Sequence, residues 1–269
     1  MKKICVIGSI ILVLMLTCIF AILPFFKASE KVPDLPFVDD EMENTLIYSA
    51  IYYEIIDKKE EFTIECLEQI GWLNIGYTGY YTTLEDIKYC KNLHTLRIGI
   101  PKTRTGDTYW KKWCVRPKQE CGERVSQIQE ELGVLLQECN QLSSLYICND
   151  EGTCEFESLE FLKYGENLTS LWLWKQKDLD YSSIYVNCPN LTILDLSASD
   201  ISELDGIDKL QKLDTLCIQY TNISEAGDIV KLKNLKHIEV YGTPLADNEE
   251  ELSIIRDALP DIEIDFRDY

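Results

Sequence analysis

The sequence predicts an α/β protein in which about eight strands form one curved parallel sheet, with an N-terminal helical cap and one insertion. Three observations support this: a leucine pattern that repeats, a helical pattern that precedes it, and one break in the repeat. The lead leucines of the pattern L-x-x-L-x-L are 23, 22 and 22 residues apart. The most regular copies are Leu168, Leu171 and Leu173; Leu191, Leu194 and Leu196; Leu213, Leu216 and Ile218; Leu235, Ile238 and Val240. This period predicts a leucine-rich-repeat solenoid, whose repeats bury their leucines only against their neighbours.

The N-terminus is predicted to carry an export signal. Lys2 and Lys3 are followed by an uncharged, mostly apolar run of 23 residues at positions 4–26. That length can cross a bilayer as a helix, whereas the apolar core of a cleaved signal peptide has about 7–15 residues. We predict that residues 1–27 are a signal anchor, with a cleaved signal peptide as the alternative. An anchor would give a single-pass cell-membrane protein with its C-terminal domain outside; cleavage would give a secreted protein. Residues 28–38 are predicted to be a linker.

Residues 39–70 are predicted to form the helical cap that covers the apolar edge of the first repeat. Asp39 and Asp40 can cap a helix N-terminus. The apolar residues that follow recur at helical spacing: Met42, Leu46, Ile47, Ala50, Ile51, Ile55 and Ile56. A second short helix is predicted from Thr63 to Ile70.

The solenoid is predicted over residues 71–269. Its further strands contain Leu73 and Ile75; Leu93, Leu96 and Ile98; Leu142, Leu145 and Ile147; and, last, Leu259, Ile262 and Ile264. The break between Ile98 and Leu142 contains an apolar helical stripe of Val125, Ile128, Leu132, Leu135, Leu136 and Cys139. The stripe is interpreted as the convex helix of that repeat, which leaves an insertion at about residues 100–122.

The motifs NLTILDLSASDI at residues 190–201 and LDTLCIQYTNI at 213–223, with DEMENTLI in the cap at 40–47, resemble the bacterial internalin-like branch of the leucine-rich-repeat family. The resemblance covers nearly all of the chain after the linker. It is highly specific for fold and weakly specific for function. The family's ladder asparagine is replaced here by Ser199, Thr221 and Thr243. We expect their hydroxyls still to bond to turn backbone.

The formal net charge of −20 argues against binding to nucleic acids or anionic membrane surfaces, because both carry negative charge. A membrane contact would therefore run through the N-terminal segment.

The chain has 11 cysteines, and some of them are predicted to be packing residues. Cys90, Cys139 and Cys188 lie three residues before a lead leucine, where other repeats have glycine or leucine. Two disulfides, Cys114 with Cys121 and Cys148 with Cys154, are possible if export exposes the chain to oxidation. No metal site is predicted, since a tight C-x-x-C knuckle is missing.

Catalysis and cofactors are not predicted. The two histidines, His94 and His237, have no nucleophile at a recognisable spacing, and no phosphate-binding, dinucleotide or metalloprotease motif occurs. Acidic pairs leave a carboxylate-based hydrolase as a remote alternative.

The concave face is the predicted binding surface, because residues alternating with the buried leucines point outward. Tyr146, Trp172 and Trp174 should be neighbours there, and Asp195, Glu239, Glu263 and Asp265 should make the C-terminal part acidic. Glu263 is expected in the column of Glu239, and Asp265 in the column of Tyr241. The candidate binding residues are Tyr146, Trp172, Trp174, Asp195, Gln219, Glu239 and Tyr241. The insertion could instead cover the aromatic residues.

The insertion has a second candidate patch of basic and aromatic residues: Lys102, Arg104, Trp110, Lys111, Lys112 and Trp113. Such a cluster binds acidic polymers or headgroups, or docks on the acidic solenoid itself. The sequence thus predicts a non-enzymatic exported protein that binds another macromolecule, most simply a protein, through its concave face. The alternative is a structural or self-assembling component of the cell envelope. The oligomeric state is not predicted.

Overall fold

One parallel sheet holds all eight strands found in the described residues, which are 37–99, 125–149 and 156–268 of a computed structural model. The strands follow chain order: β1 (Trp72–Asn74), β2 (Thr95–Ile98), β3 (Ser144–Cys148), β4 (Ser170–Trp174), β5 (Ile193–Asp195), β6 (Thr215–Cys217), β7 (His237–Glu239) and β8 (Glu263–Asp265). They belong to one compact unit, Phe37–Tyr269. The order is that of a solenoid, since each strand pairs only with the strands of adjacent repeats.

The central inward residue of each strand pairs with its counterpart in the next strand, which makes one continuous row across the sheet. The row is Leu73, Leu96, Leu145, Leu171, Leu194, Leu216, Ile238 and Ile264. All of its members except the last are completely buried. The predicted fold class, a leucine-rich-repeat solenoid, is confirmed.

The last strand departs from the predicted register. Ile264, rather than Ile262, pairs with Ile238, so Asp265 lies beside Glu239 and Glu263 lies beside His237. The reason is that Leu259 takes the packing position that Leu232 has in the preceding repeat: both carbonyls accept the amide of the residue three positions later. That position accepts leucine, so Leu259 was wrongly assigned as the lead residue.

Two helices, α1 (Asp40–Tyr52) and α2 (Ile64–Leu67), precede the sheet, with a 3-10 turn at Lys59–Glu61 between them. Asp39 caps α1 by accepting the Met42 amide at 2.7 Å, while Asp40 is the first helical residue. Asp39 also accepts the Thr82 hydroxyl at 2.6 Å, which ties the helix to the first repeat. Because α1 ends at Tyr52, the predicted helical positions of Ile55 and Ile56 are wrong.

The convex side carries helices α3 (Val125–Glu138), α4 (Ser182–Asn187) and α5 (Glu249–Ala258). Shorter 3-10 helices complete it at Thr78–Tyr80, Glu85–Tyr89, Glu160–Asn167, Ile207–Lys209, Ile229–Lys231 and Pro244–Asp247. The predicted stripe on α3 is buried at Ile128, Leu132, Leu135, Leu136 and Cys139. The cysteines of the packing slot are also buried, with Cys90 and Cys188 fully enclosed.

Hydroxyls replace the ladder asparagine at three turns and still satisfy backbone groups. Ser199 donates to the Leu173 carbonyl at 2.9 Å, Thr221 to the Ile218 carbonyl at 2.7 Å and Thr243 to the Val240 carbonyl at 2.7 Å. The expectation for these residues is confirmed.

The predicted export segment lies outside the described residues, as does the linker up to residue 36. Within the described ranges, no helix has the length and apolar character needed to cross a bilayer.

Candidate functional site: the concave face of the sheet

The centre of the outward face is a stacked aromatic pair. Tyr146 on β3 and Trp172 on β4 are register partners, and their ring centroids are 3.8 Å apart with an angle of 8° between the planes. Both side chains are half-buried. The alternation of strand side chains puts both on the face opposite the leucines, so the sheet itself positions the pair.

A cation extends this pair toward the N-terminus. Arg97 on β2 has its guanidinium carbon 4.9 Å from the Tyr146 ring centroid and 5.6 Å from the Trp72 ring centroid. Tyr53 continues the row with an edge contact to Trp72 at 5.9 Å between centroids. We call these five residues, Tyr53, Trp72, Arg97, Tyr146 and Trp172, the aromatic row.

Trp174 lies two residues further along β4, in register with Cys148 of β3. Its ring lies under the Lys175 ammonium group, whose nitrogen is 4.2 Å from the ring centroid. The tryptophan is half-buried and the cysteine is buried. Trp174 is therefore adjacent to the aromatic row, in the next column of the same face.

The C-terminal part of the face is acidic. Asp195, Glu239 and Asp265 occupy the same column, with Cys217 between the first two. Burial raises the pKa of Asp195 from 3.8 to about 6, and the charge on Glu239 adds to this rise. The amide of Ser197 donates to Asp195 at 2.7 Å, and this hydrogen bond partly offsets the rise in the pKa. Burial and the Asp195 charge also raise the pKa of the Cys217 thiol, so the thiol stays protonated.

Two other predicted residues border this acidic column. Gln219 is buried and donates to the Glu239 carboxylate at 2.9 Å. Tyr241 is half-buried and makes an edge contact with Tyr220, at 5.4 Å between centroids. The Tyr220 hydroxyl donates to Asp268.

His237 lies beside the same column, with ring nitrogens 3.5 Å from Glu239 and 3.5 Å from Glu263. The corrected register of β8 explains this position of Glu263, which is next to the acidic column rather than in it.

The structure thus brings together Tyr146, Trp172 and Trp174, and separately Asp195, Gln219, Glu239 and Tyr241, on one face. The six candidate residues of the insertion lie outside the described residues, as do Cys114, Cys121 and Cys154. Sequence reasoning did not single out Tyr53, Trp72 and Arg97 as site residues. The register could have indicated Trp72, because it is adjacent to the inward Leu73.

Comparisons with known proteins bear on the fold. The chain matches no protein-family model and no curated protein. It is similar to the solved structure of internalin C2 from Listeria monocytogenes, with 18% identity and a TM-score of 0.50, covering 85% of this chain and 94% of that one. For internalin F from the same species, the identity is 17% and the TM-score 0.53, covering 89% of this chain and 66% of that one. The fold is that of an internalin-like leucine-rich-repeat solenoid.

In this internalin-like solenoid, the described residues contain no group of three or more His, Cys, Asp or Glu side chains placed to hold a metal ion. The described part of the chain contains cavities on its convex side. One of about 310 Å³ lies between α3 and the 3-10 helix Glu160–Asn167. The outward residues described above are instead spread over several neighbouring strands, an arrangement that suits an extended ligand better than a small molecule.

Proposed function

We propose that this chain is an exported, non-enzymatic protein that binds a protein ligand through the concave face of its solenoid. The N-terminal residues 1–27 direct export, as a signal anchor that leaves the solenoid outside the cell membrane or, alternatively, as a cleaved signal that leaves it secreted. Tyr146, Trp172 and Trp174 are the apolar anchor for the ligand. Asp195 and Glu239 contact its basic flank.

The observation that carries this proposal is the stacked Tyr146–Trp172 pair on an outward strand face. Stacking fixes both rings before a ligand arrives, so little side-chain entropy remains to be lost on binding. Tyrosine and tryptophan are also enriched among the residues that dominate interface energies. A rigid, half-buried aromatic pair is therefore suited to recognition.

The acidic column supports a protein ligand with two chemical parts. Asp195 and Glu239 would repel phosphate groups and attract lysine or arginine side chains, whereas Asp265 is buried and already pairs with Arg267. An apolar segment on the aromatic row followed by a basic segment on the acidic column would use the whole face.

The test is selection of ligands on the purified full-length protein, followed by substitution. Dodecapeptides displayed on phage are selected on wild-type protein, and the affinities of the synthetic peptides are measured by interferometry. We expect Trp172→Ala and Trp174→Ala each to weaken binding, with a loss of about 2 kcal/mol, or about 30-fold, for Trp172. The matched control is Tyr164→Ala, which removes a half-buried aromatic ring from the convex side.

Peptides that bind both tryptophan variants as tightly as wild type would show that the binding site is elsewhere. Light scattering over a concentration series distinguishes the proposed function from the alternative one. A mass that rises with concentration, and that Trp172→Ala returns to the monomer value, would indicate a self-assembling envelope component instead.

A further inference from the structure

Arg97 has an incomplete set of hydrogen bonds for a charged side chain in its position. Its Nε atom is buried and has no hydrogen-bond partner. Among the described residues, its guanidinium group contacts the rings of Trp72 and Tyr146. No carboxylate among the described residues forms an ion pair with it. A buried donor that lacks a partner destabilises a protein, so the arrangement calls for an acceptor.

We infer that Arg97 is a carboxylate-binding site that receives an aspartate or glutamate side chain of the bound protein. This inference rests on the proposed function, since it takes the ligand to be a protein on the concave face. It adds a residue and a chemical requirement: the ligand carries an acid within its apolar segment.

The guanidinium group suits a carboxylate in shape as well as in charge. Aromatic rings interact with the face of a guanidinium group, while its N–H donors lie in the plane and match the two oxygens of a carboxylate. Trp72 and Tyr146 contact Arg97 from neighbouring strands and restrict its motion. The charge is therefore held in place before binding, which lowers the entropy lost when the ion pair forms.

Two phenol groups lie close to the same charge. Burial raises the pKa of Tyr53 and of Tyr146, while the positive charge of Arg97 acts in the opposite direction on both. The two hydroxyls therefore stay protonated at neutral pH and can donate hydrogen bonds to an anion. Neither phenol therefore places a competing negative charge beside Arg97, whose own guanidinium group offers a carboxylate several donors.

The ligand's acid is an internal side chain rather than a chain terminus. Aromatic rings flank Arg97 on both sides along the row, Trp72 and Tyr53 on one side and Tyr146 and Trp172 on the other. A ligand that contacts both sides must continue past Arg97. The acidic column lies at the other end of the face, so the basic part of the ligand is separated from its acid.

Charge balance makes the site distinctive. The chain has 46 acidic and 26 basic residues, so carboxylates are in excess. Arg97 nevertheless forms an ion pair with none of those in the described residues. An entirely basic ligand would satisfy the acidic column but leave Arg97 unpaired. A ligand with both charges satisfies the whole face.

The experiment is a double-mutant cycle on the full-length protein. From the phage-selected dodecapeptides, a peptide with an internal Asp or Glu between apolar residues is synthesised together with its Gln or Asn counterpart. Both are measured against wild type, Arg97→Gln and the control Lys209→Gln, which removes an exposed positive charge from the convex side. We expect Arg97→Gln to weaken the acidic peptide by about 10-fold or more and to leave the amide peptide nearly unchanged.

Additive effects of the two changes, or selected peptides with no acidic residue, would overturn the inference. A lowered melting temperature of Arg97→Gln with unchanged peptide affinity would assign Arg97 to the solenoid's own stability and would also overturn it. The acid-to-amide change in the peptide needs no protein variant, so equal binding of both peptides to wild type would overturn the inference even if Arg97→Gln folds poorly. If no peptide is selected, or if Trp172→Ala leaves affinity unchanged, the proposed function itself fails. If Trp172→Ala weakens binding but the cycle is additive, only the assignment of Arg97 fails.

Discussion

Replacement of Asp195 by asparagine should stabilise the solenoid at neutral pH. Asp195 lies in the acidic column, where burial and the charge of Glu239 raise its pKa from 3.8 to about 6. The ionised form is therefore less favourable in the folded protein than in the unfolded chain. Asparagine has nearly the same shape and keeps an oxygen that can accept the Ser197 amide, which Asp195 accepts at 2.7 Å. The substitution therefore removes the charge and retains the bond.

The magnitude follows from the difference between the two pKa values. One pKa unit corresponds to about 1.36 kcal/mol, so ionised Asp195 destabilises the folded state by up to about 3 kcal/mol. Part of the side chain remains exposed to solvent, which screens the charge and reduces the effect to about 2 kcal/mol. For a chain of this size, about 2 kcal/mol raises the melting temperature by about 4–8 °C.

The sign of the pH dependence distinguishes this cause from a general change in packing. Above pH 6 the carboxyl is ionised in both states, and the destabilisation is fully present. Between pH 6 and pH 3.8 the folded protein binds a proton that the unfolded chain does not, so the destabilisation decreases as the pH falls. The advantage of Asp195→Asn should therefore be constant near neutral pH and shrink toward pH 4.

Urea unfolding followed by tryptophan fluorescence at several pH values between 4 and 7.5 measures this difference. Asp208→Asn is the control, because it removes one negative charge from an exposed position of the next 3-10 helix. An Asp195→Asn variant no more stable than wild type at pH 7.5, or a difference that does not vary with pH, would refute the reasoning.

One further substitution tests the helical cap, and one chemical reaction tests the packing slot. Asp39→Ala removes the acceptor for the Met42 amide at 2.7 Å and the bond to Thr82, so we expect a loss of about 1–2 kcal/mol in urea unfolding; an unchanged midpoint would contradict this role. Burial raises the pKa of Cys188 to about 12, so its thiol should not react with a thiol reagent at pH 8 in the folded protein. Peptide mapping identifies the modified cysteine. If Cys188 reacted as fast in the folded protein as in urea, the packing slot would be open to solvent.

The core of the solenoid was predictable because its residues obey one geometric requirement. Leu171, Leu194 and Leu216 pair directly across neighbouring strands, so any other spacing would have exposed them. The last strand was predicted, but its register was wrong. Leu259 is equally acceptable as a lead residue or as a filler of the packing slot, and only its backbone hydrogen bond to Ile262 decides.

The candidate site was predictable as a face but not as a set of contacts. Alternation put Tyr146 and Trp172 on the outward side, although it could not show that their rings stack. Tyr53 follows directly after α1, and nothing in its local sequence indicates contact with Trp72. Arg97 has an ordinary spacing in its strand. Its distinction arises from a missing hydrogen-bond partner, which is a property of the folded chain alone.

The order of the strands sets a minimum length for any ligand that contacts both the aromatic row and the acidic column. Four strand intervals separate Tyr146 on β3 from Glu239 on β7. At about 4.8 Å per interval, this is about 19 Å along the sheet. An extended peptide needs about six residues to cover that distance, and a helix needs about thirteen. A shorter ligand would reach either the aromatic row or the acidic column, and its affinity would depend on only one of them.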